Sequence, residues 1–492
     1  MSHAVETGRI TTDIPARLDR LPWSRWHWII VIGLGTVWIL DGLEVTIVGS
    51  MSDALSAPST GLGLRSWDIG FAGAIYVAGA CLGALAFGQL TDRFGRKKLF
   101  MVTLGVYLVG TVLTAFSVNP TWYFACRFVT GAGIGGEYAA INSAIDELIP
   151  ARYRGRVDIA INGSFWVGAA VGSLLTIPLL DPTMINQSYG WRLAFALGAI
   201  LAVGVLFVRR NVPESPRWLF IHGHDEHGEE IVRDIERTVH DETGQDLAEV
   251  DERITVRQRR TIGLGLIART MVTMYPRRTV LCLSLFVGQA FLYNAFFFTY
   301  GDTLSTFFGV TQAGYYIAVF AVSNFLGALV LSPLFDRVGR VVMISSTYIV
   351  SGVLLGVTGL ILGNLDATTP TMMGAIVFFF ASAGASAAYL TASEVFPLET
   401  RALCVAFFYS IGTAIGGITG PLLFGRLLDN ASAGKDITGI AVGYFIGAAL
   451  MALGGVVEAF LGVRAEGQSL ENIPKPLTAE DAETGEPAPA QT

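Results

Sequence analysis

Charge is what this sequence has least of. Only 15% of its 492 residues are Asp, Glu, Lys or Arg, against roughly a quarter in soluble domains. At this length a soluble chain would form about three domains, yet 52% of the residues are hydrophobic, too many for their surfaces. Disorder is excluded as the dominant state, because the aromatics and the 57 glycines sit inside apolar runs rather than polar tracts. Cysteine is scarce too. Cys81, Cys126, Cys282 and Cys404 lie in apolar stretches without paired spacing, which excludes a disulfide framework or zinc site and fits buried thiols. No basic cluster is interleaved with aromatics and the net charge is −7, so nucleic acid is not an expected partner. Nor is there a nucleophile–base arrangement or an ATP-binding signature, which argues against an enzyme or a primary pump. Gly131-Ala-Gly133-Ile-Gly135-Gly136 mimics a nucleotide loop but follows no strand; it reads as close helix packing, as do Gly412, Gly416 and Gly420. His222, His224 and His227 fall in a solvated acidic loop, so neither metal nor cofactor is expected. What remains is a polytopic membrane protein.

Windows of about 19–20 residues with few charges mark membrane-spanning helices. Twelve occur: 27–50, 68–90, 99–118, 121–147, 158–180 and 191–208, then 279–301, 312–334, 342–363, 371–393, 403–428 and 437–463. They divide the chain into a tail (1–26), a six-helix half (27–208), a polar loop (209–278), a second half (279–463) and a Pro/Ala-rich acidic tail (464–492). The tail is expected to be disordered, and 225–260 to form short amphipathic helices. The residues before Trp26 lack the layout of a cleaved signal, so the first span is expected to act as an uncleaved one. With the N-terminus inside, and the long central loop discounted, sixteen Lys and Arg stay inside; Arg65, Arg192, Arg426 and Lys435 fall outside. Both termini and the central loop are expected in the cytoplasm, beneath a plasma or bacterial inner membrane.

Two patterns recur at half-length. Asp92-Arg93-Phe-Gly95-Arg96 after span 2 returns as Asp336-Arg337-Val-Gly339-Arg340 after span 8, an offset of 244. Glu147, Pro150 and Arg154 return as Glu394, Pro397 and Arg401, an offset of 247. Matching offsets after same-numbered spans indicate two six-helix halves related as parallel repeats. The predicted fold class is an all-α membrane protein of twelve transmembrane helices in two such halves. Transporters built this way bind solute near the midplane and rock about it.

On these residues the chain resembles the major facilitator superfamily across nearly all its length outside the tails. Asp92-Arg93-x-Gly95-Arg96-Lys97 is similar to that superfamily's loop signature, and Arg127-x-x-x-Gly131-x-Gly133-x-Gly135 to its span-4 signature. Pro213-Glu214-Ser215-Pro216-Arg217-Trp218-Leu219 resembles the sugar porter branch. The resemblance implies that Glu147 with Arg154, and Glu394 with Arg401, form networks with Arg93/Arg96 and Arg337/Arg340. These close a cytoplasmic gate, with Asp92 and Asp336 as helix-end partners in the same latch.

A charge at the bilayer centre costs at least ~2.5–3.5 kcal/mol and so usually has a partner and a role. Asp41 and Glu44 in span 1 are spaced i,i+3 and share a helix face. At 1.5 Å per residue, Asp41 lies roughly 20 Å from one side and Arg127 roughly 10 Å from the other. In a core of about 30 Å those depths coincide, so an Asp41–Arg127 pair is expected. Proton coupling and a static pin between spans 1 and 4 are both open; two acids beside one arginine favour coupling. Asp41-Gly42-Leu43-Glu44 also resembles the span-1 acidic signature of aromatic acid:proton symporters. Glu137 and Glu458 read as interfacial.

In span 7, Gln289, Tyr293, Phe296 and Tyr300 follow i, i+4, i+7, i+11 and share a face, with Gln289 near mid-depth and Asn324 of span 8 at comparable depth. An amide and phenol tips flanked by rings suit a polyol or an aromatic acid. Gln289, Asn294 and Tyr300 occupy places similar to solute-binding residues of sugar porters. Where those commonly carry Gly-Pro-x-x-Trp in span 10, this chain has Gly384-Ala-Ser-Ala-Ala-Tyr389, which tilts the expectation towards an organic acid. The expected protein is a secondary transporter, functional as a monomer, whose partners are a small solute, protons and the lipid bilayer. Proton symport of an aromatic carboxylate ranks first. A sugar or polyol symporter, a uniporter or exporter, and a non-transporting sensor follow.

Overall fold

The computed structural model describes residues 6–468 and 473, apart from 52–53, 56–59, 61, 65, 182, 210–212, 251–252, 260–268, 311–312, 363–365, 367, 398–400 and 435–437. Among them, the first half holds spans 1 to 6: Arg25–Ser50, Ser66–Phe94, Arg96–Ala115, Pro120–Leu148, Ala151–Gly163 continuing as Phe165–Leu180, and Gln187–Arg209. Spans 7 to 12 follow: Pro276–Phe308, Ala313–Arg337, Arg340–Ile361, Thr368–Glu394, Arg401–Gly434 and Thr438–Leu461. Eleven of these are long and apolar enough to cross a membrane. The twelfth, span 4, has the length at 29 residues but carries Arg127, Glu137 and Glu147. The outer faces of the bundle leave Leu82, Phe128, Ile200, Phe207, Leu360 and Phe460 exposed, a surface that lipid rather than water suits. The protein is a multi-pass membrane protein.

Local chemistry sets where the helices start. Asn119 caps span 4, its side chain accepting from the Trp122 N–H at 2.8 Å, and Pro120 takes the first helical position. Spans 3 and 9 begin after Gly95 (φ 92°) and Gly339 (φ 109°), the glycines of the repeated motif. Positive φ is what turns one span sharply into the next, and only glycine adopts it cheaply.

Between the two acids of span 1, Gly42 lies against span 5, where an added Cβ would run into the Phe165 carbonyl; Gly168 meets the Ile39 carbonyl in return. The glycine of Asp41-Gly42-Leu43-Glu44 is therefore a packing residue. Gly42→Val is expected to force spans 1 and 5 apart, lowering stability by about 1–3 kcal/mol. Thermal unfolding in detergent measures this, and an unchanged midpoint would refute the packing role.

At the bundle end where spans 1 and 7 begin, strands β1 (Glu6–Thr12) and β2 (Ile254–Arg259) pair antiparallel, Arg9 opposite Arg257. Helices Ile14–Asp19, Pro216–Ile221 and Asp225–Thr243 bury Ile14, Leu18, Phe220, Val232 and Ile235 together. The N-terminal segment, read from the sequence as a separate tail, is thus folded against the central loop. Arg17 reaches Glu229 and Glu236 at 2.6 Å each. Burial alone would raise the Glu236 carboxyl, but the hydrogen bonds and charges of Arg17 and Arg20 outweigh it and hold it below the ordinary range. A carboxyl depressed on folding stabilises above its unfolded pKa, and that stabilisation is lost as pH falls through the folded one. Hydrogen-exchange protection of Asp225–Thr243 should therefore be level near neutrality and fall below the ordinary glutamate value. Glu236→Gln should lose that pH step, and an identical step in the variant would assign it to other groups.

Candidate solute and proton site

Between the halves lies a cavity of about 160 Å³. An engineered apolar cavity of about 150 Å³ holds one benzene ring, so this is single-ring space. Trp38, Tyr76, Tyr138 and Trp166 line it from the first half, and Gln289, Tyr293, Asn294, Tyr389 and Tyr409 from the second. One wall is an aromatic cluster: Trp38 stacks on Tyr138 at 4.7 Å, and Tyr138 meets Tyr409 edge-on at 4.8 Å. Trp166 packs on Tyr293 and Phe297 at 5.2 and 5.1 Å. No charged side chain lines the cavity among the described residues. Many polar groups there are already engaged. Tyr293 donates to Asn324 at 2.7 Å, Asn294 to the Ala290 carbonyl and Ser386 to the Ser382 carbonyl. Gln289, Tyr389 and Tyr409 make no side-chain hydrogen bond with a described residue.

The charges stand behind this wall. Arg127 donates to Glu44 in a fully buried ion pair, and the Tyr107 hydroxyl donates to the other Glu44 oxygen at 3.3 Å. The Arg127 guanidinium lies over the Tyr76 ring at 4.5 Å. The expected Asp41–Arg127 pair is thus corrected: Glu44 is the acid that meets the arginine. Glu44 sits three residues, roughly 4.5 Å, further along span 1 towards the end where span 4 begins. Asp41, 1% exposed, shares the helix face of the cavity-lining Trp38 and Val45. It acts electrostatically on Tyr76, Tyr107 and Tyr138 of its own half and on Tyr389 and Tyr409 of the other.

Of the expected solute residues, Gln289, Tyr293, Asn294 and Tyr389 line the cavity. Asn324 is fully buried behind it and holds the Tyr293 hydroxyl. Tyr300 is displaced from the expected site, its hydroxyl bonded to Thr371 at 2.8 Å. Span 7 has aromatics on several faces: Phe297 and Phe298 still line the cavity, while Tyr300, two residues on, turns to another face. Sequence reasoning missed Trp38, Tyr76, Tyr138, Trp166 and Tyr409. Only Trp38 carried a signal, the i,i+3 spacing to Asp41.

A family model described as "Sugar (and other) transporter" matches residues 29–476. The chain belongs to that family. It is 25% identical over 471 residues to the niacin transporter NiaP of Acinetobacter baylyi, spanning 94% of this chain and 99% of that protein. To the 4-hydroxybenzoate transporter PcaK of the same organism it is 24% identical over 435 residues, 86% and 90% of the two chains. Its fold matches the proton:xylose symporter XylE bound to 6-bromo-6-deoxy-D-glucose, with a TM-score of 0.71, 17% identity and coverage of 91% and 98%. An inward-open form of XylE from E. coli matches at 0.62, with 18% identity and coverage of 90% and 98%. This is the twelve-helix major facilitator fold, and the protein is a transporter of small solutes, not an enzyme.

In this member of the sugar (and other) transporter family, the repeated motifs meet where spans 2 and 8 end. Glu147 takes Arg96 at 2.5 Å and also accepts from Ser215. Arg340 forks onto both Glu394 oxygens at 3.1 Å each and reaches Asp336 at 2.8 Å. Asp336 crosses to the first half by accepting from the Arg156 N–H at 2.9 Å. Arg401 donates to the Ser393 carbonyl at 2.5 Å. Arg154 meets Asp19 of the N-terminal segment at 3.5 Å. Arg93 and Arg337, expected inside the networks, are exposed at the rim, because each follows the acid directly and points off the packed face. The Asp92 side chain lies outside the described residues. Glu137 and Glu458, expected to be interfacial, are each 1% exposed within their half-bundles.

Proposed function

We propose that this transporter moves a small single-ring aromatic acid by proton symport through alternating access. It would sit in a plasma or bacterial inner membrane with both termini and the central loop in the cytoplasm. The observation that carries this is the ring-walled cavity of about 160 Å³ standing in front of the buried Asp41, Glu44 and Arg127. A ring fills the aromatic walls, and the few uncommitted polar groups suit a solute with one polar head. Each sugar hydroxyl would need a partner of its own, and an unmatched one is costly. The niacin and 4-hydroxybenzoate transporters among its relatives support the same class. Asp41 and Glu44 would carry protons. Arg127 would bias them, and Arg96–Glu147 with Arg340–Glu394 would latch the cytoplasmic side in the outward-facing state.

A hexose or polyol symporter is the second reading, favoured by the uncharged wall and the amides of Gln289 and Asn294. De-energised cells in weak buffer decide between them. Pulses of aromatic and other small carboxylates should alkalinise the medium, and hexoses should not. Alkalinisation by hexoses alone would move the protein to the second reading. Silence with both panels, alongside solute binding to the purified protein, would indicate a uniporter or a sensor.

A further inference from the structure

We infer that the cavity holds its single-ring solute in uncharged form, so that a carboxylic acid binds with a proton on its own carboxyl group and the matching carboxamide binds alike. This rests on the reading of the cavity as a single-ring site. Among the described residues its wall has no cation. The nearest, Arg127, lies behind the Tyr76 ring at 4.5 Å and is paired with Glu44. A carboxylate placed here would be stripped of water without a counter-charge, and would face Asp41 through the tyrosines. The proton balance is simple: the solute anion takes one proton from the outer water and returns it on release.

The recognition chemistry agrees. Gln289 is buried at the cavity wall with both amide atoms uncommitted among the described residues. An amide side chain offers one acceptor and two donors. A neutral carboxyl group and a carboxamide each answer with an acceptor and a donor, whereas a carboxylate has only acceptors. The titratable groups facing the solute are the phenols of Tyr76, Tyr138, Tyr293, Tyr389 and Tyr409, which stay protonated near neutrality. Behind them stand Asp41 and Glu44 of span 1, Cys81 of span 2, Tyr107 of span 3 and Arg127 of span 4.

The test is equilibrium binding of benzoate and benzamide to the purified full-length protein between pH 5.5 and 7.5. A titration of Asp41 or Glu44 that answers the solute's charge would act on benzoate alone. Both slopes are therefore also measured in Asp41→Asn and in Glu44→Gln, and the slope difference that survives in each counts the proton held by the solute. Benzoate is expected to lose affinity about tenfold more per pH unit than benzamide, one proton's worth of linkage. Parallel slopes would overturn the inference and leave the single-ring reading intact, as would benzoate binding at pH 7.5 without benzamide. Failure of both probes at every pH would remove the single-ring reading, and the inference with it.

Discussion

Arg127→Leu is expected to abolish uptake and to lower stability by about 3–5 kcal/mol, the usual cost of stripping one partner from a buried ion pair. Glu44 would lose its cation and keep the Tyr107 hydroxyl at 3.3 Å. Neither Glu44 nor Asp41 would then have Arg127 to bias its carboxyl, which removes the difference between states that the proposed coupling requires. Arg127→Lys is expected to fold but to transport weakly, because an ammonium cannot stack on Tyr76 as the guanidinium does. The double variant Glu44→Gln with Arg127→Leu separates the two consequences. It should recover most of the thermal stability in detergent, since no orphaned charge remains, yet stay unable to accumulate solute. Full uptake in the double variant would reduce the pair to a structural pin between spans 1 and 4.

The architecture was legible in the sequence because a bilayer imposes a simple rule. Runs of about twenty apolar residues must be helices, and the half-length offset of the motifs around Asp92 and Glu147 exposed the repeat. The site was legible only in part. Burial of charge is costly enough that Asp41, Glu44 and Arg127 announced themselves, but choosing which acid meets the arginine needs a helix-to-helix register that depth arithmetic resolves to only about one turn. Three residues separate Asp41 from Glu44, less than one turn, and the choice fell on the wrong one. Gln289, Tyr293, Asn294 and Tyr389 were found because an amide or a phenol in an apolar span is conspicuous. Trp38, Tyr138 and Trp166 were not, since an aromatic in a membrane helix faces lipid, packing or pocket with equal ease. The fold of the N-terminal segment onto the central loop had no local signal at all. Asp19 finds Arg154 and Arg217, and β1 finds β2, only once the bundle has brought them together.

Asp41→Asn is expected to end uphill accumulation while leaving solute exchange in place. Asparagine matches the protonated aspartate in shape and cannot ionise, so the fold should be spared. Asp41 is 1% exposed and senses phenols of both halves, Tyr76 and Tyr138 on one side and Tyr389 and Tyr409 on the other. In the proposed alternating access, parting of the halves would withdraw Tyr389 and Tyr409 and let water replace them. A carboxyl kept dry favours its proton, and one reached by water gives it up. In the proposed symport that alternation would couple a proton to the stroke, and an amide could not take part in it. Alkalinisation on solute addition should therefore vanish in the variant, while labelled solute still exchanges across the membrane at near the parental rate. If the variant still accumulates solute against a gradient, Asp41 is a structural acid and coupling rests on Glu44 or on the proton that the solute itself carries. If exchange also fails, the aspartate is needed to bind the solute, and the tyrosines between it and the cavity are no barrier.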